Sequence, residues 1–475
     1  MASFPRLALA VLLAAALAAA GASTARAAGT EIGVADDRLM LEGGGDADGV
    51  VAEWRDQGVD VVRIFALWSK IAPAPHAAHE PKGFDAANPN AAGYTWGRLD
   101  AAIRRVRAAG IRVMLTVSGP GPLWTSRSPG RHNTRFKPDP AKFADFATAV
   151  ARRYGPDVDR YIIWNEPNLP SWLQPQATCA HRRCTPVAPH LYRGLVRAAY
   201  PAIKAADPGA QVLMGAISSR GVDLRKRNST LRPMVFVRAL GCVSSGFRKL
   251  RSGDCRGFKP ARADGFAFHP HGTLISPDSA YRSRDDVNLG SLGRLEGALD
   301  RLQRAGRLRA TTRRFNLYLD EYGYQTRPPD RTAGVTLSRQ DVWLQRAAYR
   351  AWRDGRVRLL TQYQWYDEPL RRAGSPFAGW QSGLHFVNGK PKPALAHFDT
   401  PMQVDAARSR LWGQARAGGA QTVTVERRPR GARRYGLLAR VRTDARGYWT
   451  LKRRLTPGAR YRFRTATAVS ASFRR

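Results

Sequence analysis

The chain has 475 residues, more than one ordinary domain needs, and 43% of them are hydrophobic, so it can bury a sizeable core and disorder is excluded as its default state. Its formal net charge is +40, mostly arginine, a balance that fits an anionic envelope, an acidic polysaccharide, nucleic acid or simply a solvated basic surface. Export argues against the nucleic acid: Arg6, the apolar run from Leu7 to Ala20 and Ala25-Arg26-Ala27 read as a signal peptide, its apolar run too short to span a bilayer comfortably.

Residues 1–27 are therefore expected to be removed, leaving a secreted protein, extracellular or associated with the cell wall. Its four cysteines suit that compartment. Cys179 and Cys184 flank a short loop, and Cys242 and Cys255 a longer one. Joining each to its sequence neighbour is the simplest of three connectivities. Neither spacing is the two-residue knuckle of a zinc ribbon.

Eight short apolar runs bounded by turn residues follow, as buried parallel strands should. They are expected at 31–34, 59–65, 111–117, 160–164, 211–216, 265–269, 316–319 and 357–365. Helical spacing fills the intervals at 99–109, 142–154, 191–205, 292–305 and 339–352, with Gly110 and Gly155 as stop signals. Strand alternating with helix predicts an α/β fold with a parallel sheet. Eight units without an early glycine-rich dinucleotide turn favour a closed (β/α)8 TIM barrel over residues 28–400. Each unit takes about 46 residues, against roughly 31 in a minimal barrel, and the surplus belongs to loops crowning the C-terminal face, where barrel active sites lie.

Composition changes near residue 400. From residue 402 there are 19 Lys/Arg and 3 Asp/Glu. Alternating runs at 421–426, 435–442, 448–451 and 461–464, separated by turn signals, predict a small all-β, sandwich-like domain over 405–475. In a strand such as Tyr461-Arg462-Phe463-Arg464 the aromatics can face inward while the arginines form one basic face. That face is expected to hold the protein near an anionic envelope polymer.

Two strands carry chemistry at their C-terminal ends. Tyr161-Ile162-Ile163-Trp164 runs into Asn165-Glu166-Pro167, and Phe315-Asn316-Leu317-Tyr318-Leu319 runs into Asp320-Glu321. The glutamates are 155 residues apart, three barrel units, which places them on strands 4 and 7. Two carboxylates facing each other across a bond are what glycosidic hydrolysis requires: one protonates the leaving oxygen, the other attacks or activates water. The chemistry needs neither cofactor nor metal.

The pairing of Asn165-Glu166-Pro167 on strand 4 with Glu321 on strand 7 resembles glycoside hydrolase clan A. Trp164-Asn165-Glu166-Pro167-Asn168-Leu169 followed by Trp172 looks most like family 39, with family 5 cellulase-like proteins next. The resemblance implies a retaining glycosidase, with Glu166 as acid/base and Glu321 as nucleophile. It implies further that Asn165 holds the 2-hydroxyl of the sugar, Arg63 orients the nucleophile, Trp365 floors the central subsite and His269 lines it. Where the clan often carries His-x-Tyr on strand 6, this chain has His269-Pro270-His271, so His271 stands where a tyrosine would face the nucleophile. Trp68, Trp124, Trp172 and Trp380 fall in the crown loops, and Trp124 is the one most expected to face solvent and stack on sugar. Two other readings are weighed. One is a non-catalytic carbohydrate-binding envelope protein on the same barrel, against which both carboxylates being present argues. The other is a metal-dependent hydrolase using His269 and His271, for which no carboxylate–histidine set is evident.

Overall fold

The structure, a computed structural model, describes residues 29–43, 45–181, 183–371 and 379–475; the expected signal peptide lies outside them. Eight parallel strands close a barrel in sequential order: β1 (Glu31–Ala35), β2 (Val61–Leu67), β3 (Arg112–Ser118), β4 (Val158–Ile163), β5 (Gln211–Ser218), β6 (Gly265–His269), β7 (Leu317–Tyr322) and β8 (Val357–Tyr363), with β8 pairing back on β1. Each expected strand is present within a few residues. Around them run α1 (Ala47–Asp56), α2 (Gly97–Ala108), α3 (Pro140–Tyr154), α4 (Ala188–Ala206), α5 (Pro233–Leu240), α6 (Leu292–Arg304) and α7 (Leu337–Arg353). Caps fix their starts: Asp139 accepts from the Ala141 N–H ahead of Pro140, and Thr336 accepts from Arg339.

Alternation along each strand sorts the core. Met114, Ile162, Leu213 and Leu359 fill the barrel interior, while their neighbours pack outward against the helices. The N-terminal mouth is plugged by charge: Glu31 accepts from Arg112 and Arg160, both at 3.0 Å. The two disulfides join Cys179 to Cys184, across a hairpin after β4, and Cys242 to Cys255, with Cα separations of 4.0 and 5.6 Å. This is the pairing of sequence neighbours.

The C-terminal part is all β. One antiparallel sheet is built from β9 (Met402–Asp405), β10 (Arg410–Gln414) and β13 (Tyr448–Lys452). The other is built from β11 (Thr422–Arg428), β12 (Gly436–Arg442), β14 (Arg460–Arg464) and β15 (Phe473–Arg474), ordered β12-β11-β14-β15. Met402, Leu411, Val423, Val425, Trp449 and Phe463 form the core between them. Strands β9, β10 and β15 are additions to the sequence reading. On the outer face of the second sheet, the register sets Thr424 beside Arg440 and Arg464, and Arg428 beside Arg460. Glu426 on that face pairs with Arg462 at 2.7 Å and Arg464 at 3.1 Å.

The first sheet faces the barrel. Leu411 points into the sandwich, while the next residue, Trp412, packs between Tyr349 and Trp352 of α7 and Tyr448. Tyr448 Oη donates to the Thr30 carbonyl at 2.8 Å, and Arg446 lies 3.6 Å from Glu31 and 3.5 Å from Asp60. Glu31 begins β1 and Thr30 immediately precedes it, so the domain seats on the end of the barrel opposite the C-terminal ends of the strands.

Candidate active site

Arg63, on β2, is fully buried and organises the C-terminal mouth. Its Nε donates to Thr116 Oγ1 at 2.9 Å, its Nη2 donates to Asn165 Oδ1 at 2.7 Å, and its Nη1 pairs with Glu321 Oε1 at 2.9 Å. The guanidinium lies over the Phe65 ring, 4.4 Å from its centroid. A planar fork with five donors suits such a hub; a lysine would reach only one partner at a time.

Strand β4 delivers two adjacent polar residues through a break in alternation. Ile162 faces inward, so Trp164 would too if the strand ran on. Instead Trp164 adopts φ +67° and packs outward on Phe143 of α3, in the space left by Gly119, where a Cβ would come within 2.1 Å of its ring. Asn165 and Glu166 (φ +36°) then both turn into the mouth. Backbone held in this region costs on the order of 1–3 kcal/mol per residue and persists where surrounding structure enforces it. Asn165 gives its carbonyl oxygen to Arg63, and its amide nitrogen bonds no protein group among the described residues.

His269, ending β6, stands between carboxylates. Its Nδ1 is 3.1 Å from Glu166 Oε1 and 3.3 Å from Glu321 Oε2, and its Nε2 is 3.1 Å from Asp320 Oδ2. The triangle closed by the first two distances keeps those oxygens of Glu166 and Glu321 within about 6.4 Å of each other. His271 Nε2 is 3.7 Å from Glu321 Oε2, so the histidine does face this carboxylate where the resemblance would put a tyrosine.

The charges reinforce one another. Burial pulls the His269 pKa down, but the charges of Glu321 and Asp320 and the hydrogen bonds to Asp320 and Glu166 outweigh it, and the pKa is pushed up to about 10. Burial likewise opposes the Glu321 charge, yet His269, Arg63 and His271 hold its carboxyl well below the usual range. Glu321 is thus ionised, and the imidazole beside it is a cation. Both ring nitrogens of His269 face carboxylates, which suits a salt bridge; His269, His271 and Glu321 also bring three potential metal-ligating atoms within 4.8 Å of one another, a set the sequence did not make evident.

The surrounding aromatics divide. Phe65 and Trp172 stack at 5.5 Å, both partly exposed, beside Arg63. Tyr363 and Trp380 are partly exposed and stand edge to face at 5.3 Å, each flanking His271. Three expectations need correction. Trp124 is 3% exposed: its Nε1 donates to the Pro73 carbonyl and its ring packs on Trp68, so it presents no face to a sugar. Trp68 itself is stacked on Phe146 of α3 and buried. Trp365 is buried and points away from the mouth, its Nε1 donating to Glu53 and its ring against Trp54, both of α1. The cause is Gln364 at φ +64°, which reverses the alternation after Tyr363. Tyr363, on the inward parity shared with Leu359, takes the position expected of Trp365.

Four neighbours escaped the sequence reading: Asp37, Thr116, Asp320 and Tyr363. Tyr363 was accessible from strand parity, and Asp320 from its place before Glu321. Asp37 accepts the Phe65 N–H at 2.7 Å; it keeps some solvent contact, yet burial pushes its carboxyl up to about 7 against the pull of Arg63. Nothing in its local sequence sets it apart.

The family model for cellulases, glycosyl hydrolase family 5, matches residues 27–234. Among solved structures the chain is similar to a family 39 glycoside hydrolase from Bacteroides cellulosilyticus, at 14% identity over 89% of this chain and 81% of that one, with a TM-score of 0.53. It is similar also to a glucosidase from Croceicoccus marinus, at 12% identity over 91% and 95%, with a TM-score of 0.51. At these identities the likeness is one of fold. No curated protein matches the sequence.

Proposed function

We propose that this chain is a glycosidase of the clan that holds families 5 and 39 and that it cleaves O-glycosidic bonds of a polysaccharide or oligosaccharide with retention; the match of residues 27–234 to the family 5 cellulase model supports the reading. Glu321 is the nucleophile and Glu166 the acid/base. The supporting observation is the span of about 6.4 Å at most between facing oxygens of the two carboxyls, bridged by one imidazole. Retaining pairs stand about 5–5.5 Å apart, whereas inverting pairs need about 6.5–9.5 Å to admit a water.

The roles follow from the contacts. Arg63 and His269 keep Glu321 charged for attack on the anomeric carbon. Glu166 gives its proton to the departing oxygen, then takes one from the water that frees the sugar from Glu321. The unpaired amide nitrogen of Asn165 points to the 2-hydroxyl as its partner. Phe65 with Trp172, and Tyr363 with Trp380, supply ring faces for sugar.

The setting proposed is outside the cell. Two disulfides fit it, and among the described residues no helix is long and apolar enough to cross a membrane. The arginine face of the outer sheet would hold the enzyme to an anionic envelope polymer, with the catalytic mouth at the other end of the barrel.

The test is hydrolysis of a glycan panel by the purified chain, with Glu321→Ala as control and NMR of the first-formed anomer. Hydrolysis with retained configuration, lost in the control, is the expected result. An inverted product, or equal turnover by the control, overturns the assignment.

A further inference from the structure

Strand β7 does something a regular strand cannot. Its register on β8 runs from Leu319 opposite Leu360 to Tyr322 opposite Gln362, three steps against two. The extra residue is a bulge, and it turns consecutive side chains, Asp320 and Glu321, to the same side. Both reach His269.

Asp320 lies beneath the mouth, with no exposure, so it cannot touch a sugar. Its Oδ2 is 3.1 Å from His269 Nε2 and 3.5 Å from Arg63 Nε, while its buried Oδ1 has no hydrogen-bond partner among the described residues. A buried carboxylate left half unsatisfied is costly, and as packing alone an apolar side chain would serve better. What its position does is engage Nε2 of the imidazole and leave Nδ1 almost equidistant from Glu166 and Glu321.

We propose that Asp320 is a positioning residue that locks His269 as a lasting imidazolium, the shared counter-ion of Glu166 and Glu321, whose charges alternate through the two half-reactions. The inference rests on the catalytic roles proposed above. In the first half-reaction Glu321 forms a bond to the anomeric carbon and loses its charge. The bond to the leaving oxygen breaks, and that oxygen takes the proton of Glu166, which becomes the carboxylate. In the second, water attacks the anomeric carbon and gives a proton to Glu166, the ester bond breaks, and Glu321 is ionised again. One of the two carboxylates beside Nδ1 is negative at each stage, and the His269 proton stays where it is. The other groups around the pair are Arg63 from β2, Asn165 after β4, His271 beyond β6, Tyr363 from β8, Asp37 after β1 and, near Asp320, the Tyr192 hydroxyl of α4.

The experiment is NMR titration of the full chain labelled with 15N-histidine, the His269 signal being assigned by its loss in His269→Gln. Wild type should keep His269 doubly protonated to about pH 9. Asp320→Asn preserves shape but removes the anchoring charge, and should lower that titration by at least about one pH unit, as expected of a contacting charge in protein. With a 4-nitrophenyl glycoside that wild type hydrolyses, kcat should fall about 10- to 100-fold with KM little changed. Asp320→Glu should recover part of both effects. An unchanged His269 titration in Asp320→Asn refutes the proposal, as does a wild-type His269 that deprotonates at or below pH 7, a result that needs no variant to fold. If wild type hydrolyses no glycoside but the titration shifts, the catalytic assignment fails while the Asp320–His269 lock stands.

Discussion

Truncating Trp412 asks whether the C-terminal domain is an appendage or part of the barrel's own stability. The ring is fully buried against Tyr349 and Trp352 of α7 and Tyr448 of the domain, and its Nε1 has no hydrogen-bond partner among the described residues, so Trp412→Ala loses packing alone. Removing a buried tryptophan costs about 4 kcal/mol. If barrel and domain unfold together, roughly 450 residues carry an unfolding entropy of about 0.9 kcal/mol/K, and Tm falls by only about 4 °C. If the domain unfolds alone, its roughly 74 residues carry about 0.16 kcal/mol/K, and the same loss lowers its own transition by about 25 °C. Scanning calorimetry of wild type and Trp412→Ala separates the cases. The shared aromatic cluster and the Arg446 contacts with Glu31 and Asp60 favour one transition and the small shift. Two resolved transitions, with only the smaller one displaced by tens of degrees, would refute that coupling. It also follows that deleting 405–475 should lower the barrel's stability by uncovering Trp352 and Tyr349, so binding to a polymer is better tested by substitution than by deletion.

Glu166→Ala should lose about 10²- to 10⁴-fold in kcat/KM on an unactivated glycoside and much less on one with a good leaving group, since only the former needs the proton; equal losses on both would remove Glu166 as the acid. The folded His269 pKa of about 10 exceeds its unfolded value, so its stabilising contribution is complete below about pH 6.5 and is lost as pH rises towards 10. The free energy of urea unfolding should therefore fall by about 1.4 kcal/mol per pH unit across that window, and the fall should end at a lower pH in Glu321→Gln, which removes a charge holding the proton; a fall that ends at the same pH in both proteins would contradict the ion pair. Replacing Arg440, Arg460 and Arg464 together by serine should weaken retention on a carboxylated polysaccharide and blunt its salt dependence while turnover of a small glycoside survives; unchanged retention removes the tether.

The sequence by itself determined the barrel, because a short apolar run bounded by turn residues is a local signal that repeats eight times here. It also made Glu166 and Glu321 legible, since a carboxylate following a buried apolar run shows in the chain itself, whereas Arg63, His269 and His271 were marked only by the family resemblance. Spacing left three cysteine connectivities open, of which the structure has the simplest, and the sandwich was legible from alternation in four of its seven strands; Met402–Asp405, Arg410–Gln414 and Phe473–Arg474 became strands through the partners they meet. Only the tertiary structure decided which way side chains turn at the strand ends. Parity would send Trp164 and Trp365 inward, but Trp164 and Gln364 adopt positive φ, and both tryptophans swing out to the helices. Parity would also set Asp320 and Glu321 on opposite sides, and a bulge against β8 brings them together. Those dihedrals are held by neighbours distant in sequence, Gly119 and Phe143 under Trp164 and Glu53 and Trp54 around Trp365, so no local pattern announces them. Trp124 was hidden for the same reason: its loop reads as crown, but Trp68 and the Pro73 carbonyl hold the ring inside.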